Sequence, residues 1–197
     1  MTETDLSVFS HLPTLSTDRL ILRKMKISDS ADMFDYARQE ETTRYLLWSP
    51  HASQSASRRY LIYLQGQYRA GNFYDFALVD RESGKMIGTC GFSSFTLADN
   101  SAEIGYVLNP AYWGKGLATE AVRRILQFAF VELSLHRVTA RIMEGNLASK
   151  RVAEKCGMRL EATHIKSLRV KGTYHTIHEY ALLSEEYFKA QSFSIIE

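Results

Sequence analysis

The chain has 197 residues, of which 45% are hydrophobic and 12% aromatic, and this is the composition of an ordinary soluble globular protein. Its formal net charge of +2 is too small to indicate a surface for nucleic acid or for a membrane. The two cysteines, Cys90 and Cys156, stand in no metal-binding or redox spacing, and the chain has no secretory leader and no membrane-length apolar run, so we expect a cytoplasmic protein without disulfides or zinc.

The first half of the chain predicts one strand, two helices and a hairpin. Residues Asp18–Met25 alternate between apolar and polar, which is typical of a strand. Segments Ser28–Glu40 and Ser53–Ala70 predict helices, and the first of them opens with capping residues. The runs YDFALVD and KMIGTCGFSSF then predict two strands joined by a turn.

The second half predicts further strands and helices in alternation. A strand over Ala102–Asn109 stops at Pro110, and the apolar spacing from Ala118 to Leu133 predicts a helix packed on a sheet. The elements that follow are a strand His136–Met143, a helix Asn146–Gly157, a hairpin LEATHIKSLRV/YHTIHEYALL and a short helical tail. No repeat or linker interrupts this order, which predicts one domain over residues 1–197 with a mixed α/β or α+β sheet.

The stretch AYWGKGLATEA places two glycines and a lysine where a strand gives way to a helix. Glycine costs a helix about 1 kcal/mol relative to alanine, so these positions need another explanation. The first amides of a helix lack acceptors and carry the positive end of its dipole, and Gly114 and Gly116 leave room for a phosphate beside Lys115. A Walker loop is excluded because Gly116 follows Lys115, and a dinucleotide fingerprint fails at Thr119. Two interpretations of this stretch remain. It is either a phosphate-binding loop of another type, or a plain turn with a surface lysine.

Four motifs together give the chain a family resemblance. They are TDRLILR, GTCGF, AEIGYVLNPAYWGKGLATEA and, after the next strand, NLASKRVAEKCGM. With the closing hairpin this combination resembles the GNAT N-acetyltransferases, and within them the ribosomal-protein N-terminal acetyltransferases of the RimJ/RimL type, over Leu15 to Tyr187. The resemblance implies a three-layer α/β (α+β) fold. Its mixed, mostly antiparallel sheet would have about seven strands, a splay between the fourth and fifth, and helices on both faces.

The resemblance also implies a site for acetyl-CoA. The pyrophosphate would bind the main-chain amides of the loop and the pantetheine arm the end of the preceding strand, where one amide would stabilise the oxyanion of the reaction. Trp113 stands where the family more often has Gln or Arg, and it either anchors the loop or contacts the ligand. Asn146 would cap its helix and bind pantetheine. The implied cofactor-binding residues are Tyr106, Val107, Leu108, Trp113, Gly114, Lys115, Gly116, Leu117, Ala118, Thr119, Asn146 and Ser149.

Two residues are candidates for proton transfer. Glu103 is the candidate general base, because strand alternation puts it on one face with Gly105 and Val107, and the alternative is a solvated glutamate. Ser149 is the candidate acid for the departing thiolate, since Ala153 stands where many members of the family have a tyrosine. A thiol has a pKa of about 8.5, so the thiolate can also leave without a dedicated acid.

The acceptor pocket is expected from the first two helices and the last hairpin. Tyr45, Trp48, Tyr174 and His175 are the candidate substrate contacts, and core or lid packing is the alternative for each. The histidines form no recognisable ligand set and aminolysis of a thioester needs no metal, so none is expected.

The sequence thus predicts an enzyme that transfers acetyl directly from acetyl-CoA to a primary amine. The acceptor is either the N-terminal α-amino group of a protein, such as a ribosomal protein, or a small amine such as a polyamine, an aminoglycoside or an amino acid. Cys90 would allow an acyl-enzyme, but a buried structural cysteine is the alternative. A catalytically silent CoA-binding sensor is the competing function. We expect no nucleic-acid or membrane partner, and a homodimer is left open.

Overall fold

The computed structural model describes residue 9 and residues 11–193. Its helices are α1 (Ser30–Ala37), α2 (Glu40–Thr43), α3 (Gln54–Arg69), α4 (Leu117–Gln127), α5 (Leu147–Lys155) and α6 (Ser184–Phe193). Its strands are β1 (Leu15–Ser16), β2 (Leu20–Arg23), β3 (Tyr74–Asp80), β4 (Met86–Thr96), β5 (Ser101–Leu108), β6 (Arg137–Met143), β7 (Arg159–Val170) and β8 (Thr173–Leu183). No helix within the described ranges is long and apolar enough to span a membrane.

The strands form an eight-stranded sheet in the order β1-β2-β3-β4-β5-β6-β8-β7. The ladders β1–β2, β2–β3, β6–β8 and β7–β8 are antiparallel, whereas β5–β6 is parallel. The β5–β6 register covers Ser101–Glu103 and Arg137–Thr139, and β5 continues beyond it to Leu108. The predicted mixed, mostly antiparallel α/β sheet is confirmed. The eighth strand is the two-residue β1, which lies before the first strand predicted from the alternation.

The described residues divide into two compact units. The first unit contains the described residues up to Gly91 together with Tyr106–Arg124. The second unit contains Phe92–Gly105 and the described residues from Ile125 onward. The chain segments β4, β5 and α4 each contribute residues to both units. The prediction of one domain over the whole chain stays a prediction.

The first unit is built around a helix that buries one face. The side chain of Ser53 caps α3 by accepting a hydrogen bond from the Ala56 N–H (3.3 Å). The helix then buries residues at helical spacing, namely Ser57, Leu61, Leu64 and Tyr68. Helix α1 packs against α3, and the alternating side chains Leu20 and Leu22 of β2 are fully buried.

The predicted helix Ser28–Glu40 is interrupted for a local reason. A 3₁₀ turn over Ile27–Asp29 precedes α1, because the Asp29 carboxylate accepts a hydrogen bond from the Lys26 N–H (2.7 Å) and pairs with Arg23 (2.8 Å). These bonds fix the chain in a tight turn before the α-helix can start.

The second unit is built on the β6–β8–β7 ladder. Strand β6 buries alternate residues, namely Val138, Ala140 and Ile142. Helix α4 ends at Gln127 and continues as a π-helical segment, Phe128–Glu132, whose first three residues are all buried. Three consecutive buried residues cover more of the helix surface than the apolar stripe of an amphipathic α-helix does. The α-helix that the sequence predicts up to Leu133 therefore ends at Gln127, and the chain is π-helical from Phe128.

Candidate functional site

The end of β5 lies very close to β4. A Cβ atom on Gly88 of β4 would lie 2.1 Å from the Val107 carbonyl oxygen and 2.9 Å from the Leu108 Cα. Such an approach between two main chains requires a glycine. The Asn109 N–H donates to the Ile87 carbonyl oxygen (2.7 Å) and holds the strands together. The main chain at the end of β5 is therefore fixed against β4.

Two side chains direct the chain from β5 into the loop. Asn109 is buried, and its Oδ1 accepts a hydrogen bond from the Ala111 N–H (3.1 Å) while its Nδ2 donates to Asp35 (2.9 Å). The Trp113 indole N–H donates to the Leu108 carbonyl oxygen (2.8 Å), although 47% of Trp113 is exposed. Trp113 therefore ties the loop to the end of β5, and its exposed part is accessible to a ligand.

Both glycines of the loop adopt a backbone conformation that other residues avoid. The φ angle is +74° at Gly114 and +78° at Gly116. Positive φ is readily adopted by glycine and costs about 1 kcal/mol or more for a residue with a Cβ. A Cβ on Gly114 would meet nothing within 4 Å, and one on Gly116 would meet Arg19 Nη2 at 3.6 Å. The turn itself requires the two glycines, and it leaves space beside them.

Helix α4 starts directly after the second glycine. The Glu120 N–H donates to the Gly116 carbonyl oxygen (3.0 Å), so Gly116 is the residue that opens the helix. Gly116 has no side chain that could accept hydrogen bonds from the first-turn amides of Leu117, Ala118 and Thr119. The same turn carries the positive end of the helix dipole. This arrangement suits an anion.

Side chains outside the loop hold it in place. Arg19 donates from Nη1 to the Lys115 carbonyl oxygen (2.9 Å) and pairs through Nη2 with Glu120 (2.6 Å), and the Thr17 hydroxyl donates to the same carboxylate (2.5 Å). Burial raises the pKa of Glu120, but these hydrogen bonds and the Arg19 charge outweigh burial and lower it. The Lys115 ammonium lies 4.9 Å from the centre of the Tyr112 ring. The Arg19–Glu120 pair has no local signal in the sequence, because the two residues lie 101 positions apart.

In the second unit, Glu103 lies on the more exposed face of β5. Its neighbours Ala102 and Ile104 are buried, as the predicted alternation requires. The Glu103 carboxylate accepts a hydrogen bond from the Ser93 hydroxyl (3.1 Å). The predicted general base is thus a partly exposed carboxylate held by a neighbouring hydroxyl.

Helix α5, also in the second unit, starts with a side-chain cap. The Asn146 Oδ1 accepts a hydrogen bond from the Ser149 N–H (3.2 Å), as expected for a capping asparagine. Ser149 is partly exposed, and Ala153 is buried one turn further along the helix. The pantetheine contact of Asn146 and the proton-donor role of Ser149 stay predictions.

The predicted acceptor contacts are divided between the units, with Tyr45 and Trp48 in the first and Tyr174 and His175 in the second. The Trp48 ring lies 5.3 Å from the ring of His51. Tyr174 lies near the turn of the β7–β8 hairpin and is 59% exposed. Their contact with an acceptor stays a prediction.

The sequence raises two other chemistries, a metal site and an acyl-enzyme. Within the part of the chain that the structure describes, no group of three or more His, Cys, Asp or Glu side chains could hold a metal ion. Cys90, the residue considered for an acyl-enzyme, is fully buried, which is typical of a structural cysteine.

Comparisons with known proteins agree with this arrangement. Residues 19–159 match the acetyltransferase (GNAT) domain. The chain is 31% identical over 176 residues to the uncharacterized N-acetyltransferase p20 of Bacillus licheniformis, with 89% of this chain and 99% of that protein covered. It is 25% identical over 167 residues to the ribosomal protein uS5-alanine N-acetyltransferase of Escherichia coli, with 81% and 85% covered.

A solved structure supports the same assignment. The crystal structure of a GNAT-family acetyltransferase from Bacillus anthracis matches with a TM-score of 0.79 at 26% identity, over 88% of this chain and 99% of that one. The resemblance seen in the sequence motifs is thereby confirmed. The chain belongs to the GNAT acetyltransferase family and is an acyltransferase.

Proposed function

We propose that the chain transfers the acetyl group of acetyl-CoA directly to a primary amine, with the coenzyme pyrophosphate bound at the start of α4. The observation that carries this proposal is the opening of α4 by a glycine, after a loop with positive φ at Gly114 and Gly116. A diphosphate can approach the amides between Gly114 and Thr119, because the glycines place no Cβ in its path. Lys115 adds a positive charge to the same loop.

The pantetheine arm would follow the end of β5, where the main chain of Tyr106, Val107 and Leu108 supplies donors and acceptors. An amide of this stretch aimed at the thioester carbonyl would stabilise the tetrahedral oxyanion, an effect of about 3 kcal/mol per donor in other enzymes. The close approach of Gly88 supports this role, because it holds the main chain of Val107 rigidly against β4. A donor that is already in place needs no rearrangement during the reaction.

Three side chains of the second unit keep the roles that the resemblance assigns to them. Glu103 is the candidate base, held by the Ser93 hydroxyl. Asn146 is the candidate contact for pantetheine, and Ser149 is the candidate acid. Since a thiolate with a conjugate pKa of about 8.5 leaves readily, we expect Ser149 to contribute least.

The acceptor that we favour is an N-terminal α-amino group. The relative from Escherichia coli, named for the alanine of ribosomal protein uS5, supports this choice. An α-amino group has a pKa of about 8 and a lysine side chain one of about 10.4, so far more of the former is neutral and reactive at pH 7. The candidate contacts for this acceptor are Tyr45, Trp48, Tyr174 and His175.

The test combines coenzyme binding with turnover. Isothermal titration calorimetry measures CoA binding, and a thiol reagent measures the release of free CoA from acetyl-CoA. The acceptor panel contains alanine-initiated peptides, polyamines, aminoglycosides and free amino acids. We expect binding together with amine-dependent thiol release. Binding without turnover on any amine would favour a CoA-binding sensor, and absence of binding would contradict the assignment of the loop.

A further inference from the structure

The two arginines of the motif TDRLILR hold carboxylates in two different places of the first unit. Arg23 donates two hydrogen bonds to the Asp29 carboxylate (2.8 and 2.9 Å) and one to a neighbouring main-chain carbonyl oxygen (2.9 Å). Asp29 lies only 6 positions further along the chain, so Arg23 holds the local turn that precedes α1. Arg19 makes the same two kinds of contact, but its partners lie 96 and 101 positions away, around the start of α4. The first arginine of the motif therefore connects the β1–β2 turn with the proposed coenzyme loop.

The main chain of Arg19 is fixed on both sides by the turn between β1 and β2. In this turn the Thr17 N–H donates to the Leu20 carbonyl oxygen (3.0 Å), and the Leu20 N–H donates to the Thr17 hydroxyl (2.9 Å). The Arg19 carbonyl oxygen accepts a hydrogen bond from the Arg81 N–H (2.9 Å). The Arg19 N–H donates to the Glu120 carboxylate (3.0 Å). The Arg19 side chain therefore starts from a main chain that is held in place.

The Arg19 side chain contacts the chain on both sides of the amides that open α4. Its Nη1 donates to the Lys115 carbonyl oxygen (2.9 Å), and its Nε donates to Glu120 Oε2 (2.7 Å). The amides of Gly116 to Thr119 lie between these two contacts along the chain. Because the guanidinium is planar and rigid, it fixes the distance between Lys115 and Glu120 in a way that a flexible ammonium does not.

The guanidinium also borders the space that the loop leaves open. A Cβ on Gly116 would lie 3.6 Å from Arg19 Nη2. The Arg19 side chain is 51% exposed and the Glu120 side chain 19%. An ion pair with one partner so exposed contributes at most about 1 kcal/mol to stability, so stability alone is a weak reason for these contacts. The position of Arg19 beside Gly116 indicates a role toward the ligand of the loop.

A loop with two glycines needs a contact from outside to hold it. Glycine has more backbone freedom than any other residue, and Gly114 and Gly116 have no side chains with which to hold the loop. A mobile loop must be ordered when its ligand binds, and this ordering weakens binding. A contact that orders the loop beforehand removes that cost.

We propose that Arg19 is a positioning residue for the coenzyme, whose guanidinium fixes the loop before α4 so that the amides of Gly116 to Thr119 are in place before the diphosphate binds. This inference rests on the proposed coenzyme site and gives a role to the first arginine of TDRLILR. Arg19 acts through the Lys115 carbonyl oxygen and the Glu120 carboxylate. Loss of these contacts should therefore weaken the binding of every ligand that carries the diphosphate and leave the chemical step unchanged.

The first test compares the same substitution at the two arginines of the motif. Arg19→Lys keeps the positive charge and loses the guanidinium geometry, so we expect the Kd for CoA, measured by calorimetry, to rise about tenfold. Arg23→Lys is the matched control, because it breaks the contacts with Asp29 at the turn before α1. It should lower the midpoint of urea unfolding and leave the Kd for CoA unchanged.

The second test uses the sign of the effect at Glu120. Glu120→Gln removes a negative charge near the proposed anion site, and this change by itself favours the binding of an anion. Loss of the carboxylate that holds Arg19 has the opposite effect. If Arg19 is a positioning residue, the Kd for CoA should rise about threefold in Glu120→Gln, which is less than in Arg19→Lys.

The third test separates the diphosphate from the rest of the coenzyme. Dephospho-CoA keeps the diphosphate and lacks the 3′-phosphate, so Arg19→Lys should weaken its binding by the same factor as that of CoA. With an amine of the panel that the wild type acetylates, Arg19→Lys should raise the KM for acetyl-CoA about tenfold and leave kcat unchanged. If Arg19→Lys does not fold, as judged by circular dichroism, the sign of the effect in Glu120→Gln decides.

The outcomes separate this inference from the proposed function. Wild-type affinity for CoA in Arg19→Lys, an equal loss in Arg23→Lys, or tighter binding in Glu120→Gln would overturn the role of Arg19 and leave acetyl transfer standing. A loss confined to CoA and absent for dephospho-CoA would place the effect at the 3′-phosphate and overturn it as well. A wild-type protein that binds CoA but acetylates no amine would contradict acetyl transfer, and the role of Arg19 in coenzyme binding would stand.

Discussion

Helices α3 and α4, which both begin in the first unit, start in opposite ways. Helix α3 is capped by Ser53, whose side chain accepts a hydrogen bond from the Ala56 N–H (3.3 Å). Helix α4 is opened by Gly116, which has no side chain to offer and holds φ at +78°. A side-chain cap contributes about 1 kcal/mol to stability, and a glycine at the residue that opens the helix cannot supply one. A glycine at this position is what the proposed binding of the coenzyme pyrophosphate at the start of α4 requires, whereas α3 begins with a side-chain cap.

Helix α5 shows that self-capping is not limited to α3. In the second unit, the Asn146 side chain accepts a hydrogen bond from the Ser149 N–H (3.2 Å). Two helices of this chain therefore satisfy first-turn amides with their own side chains. Helices α1 and α2 also start without a side-chain cap hydrogen bond. What distinguishes α4 is therefore the glycine with positive φ that opens it, and anion binding supplies a physical reason for that glycine.

The largest loss of stability and activity is expected for a substitution of Gly88. Its main chain lies against the end of β5, the strand that leads into the loop before α4, and it takes no part in the start of α3. Replacing Gly88 with alanine would place a Cβ 2.1 Å from the Val107 carbonyl oxygen, so the strands must move apart. We expect the free energy of unfolding to fall by about 3 kcal/mol or more and acetyl transfer to be lost. Urea unfolding and the thiol-release assay measure the two effects. Gly105→Ala adds a methyl group to β5 where nothing lies within 4 Å, and an equal loss in both variants would contradict the importance of the close approach.

Two substitutions at Gly116 would give α4 a capping side chain of the kind that α3 has. Asparagine and aspartate tolerate positive φ better than most residues, and both can accept hydrogen bonds from the first turn. Aspartate also places a negative charge where the pyrophosphate would bind. We expect the Kd for CoA, measured by calorimetry, to rise about tenfold in Gly116→Asn and at least about 100-fold in Gly116→Asp.

Gly84 is the matched control for the backbone effect. It has φ of +70° in the turn between β3 and β4, with nothing within 4 Å of a Cβ. Gly84→Asn and Gly84→Asp should leave the Kd for CoA unchanged. If Gly116→Asp bound CoA as tightly as the wild type, the anion site at the start of α4 would have to be abandoned.

The converse change removes the cap of α3. Ser53→Ala should lower the free energy of unfolding by about 1 kcal/mol, and Ser53→Gly by only a few tenths, because glycine is a better capping residue than alanine. Urea unfolding gives both values, and calorimetry should show wild-type affinity for CoA in both variants. Weaker CoA binding in Ser53→Ala would mean that the start of α3 also serves the ligand.

The sequence was sufficient for features whose signal is local. The run YDFALVD predicted β3 over the residues that the structure assigns, and the glycines and lysine of the loop marked the start of α4. It was insufficient where distant residues meet. The pair of Arg19 and Glu120 spans 101 positions, and the close approach of Gly88 depends on the pairing of two strands.

Glu120 provides a weaker test of the start of α4, whose first turn contains an acidic residue where that of α3 contains none. Burial raises the pKa of the Glu120 carboxyl, but the hydrogen bonds from Thr17 and Arg19 and the Arg19 charge outweigh it, so the pKa is lowered. A carboxyl with a lowered pKa contributes stability above its unfolded-state pKa of about 4.3, and that stability is lost as the pH falls through the folded-state value. Because half of the Arg19 side chain is exposed, the contribution is at most about 1 kcal/mol.

Glu120→Gln should therefore lower the free energy of unfolding by up to about 1 kcal/mol near pH 6.5, and this deficit should shrink as the pH falls toward 3, as measured by urea unfolding. Glu41→Gln, at an exposed position of α2, controls for the loss of a surface carboxyl. A deficit in Glu120→Gln that stays constant across this pH range would mean that the amide disturbs the turn by its shape and not by its charge. In that case the hydrogen bond from Arg19 to the Lys115 carbonyl oxygen (2.9 Å) would be the contact that holds the loop. Arg19→Lys keeps the charge but not the guanidinium geometry. It should therefore weaken CoA binding more than Glu120→Gln does.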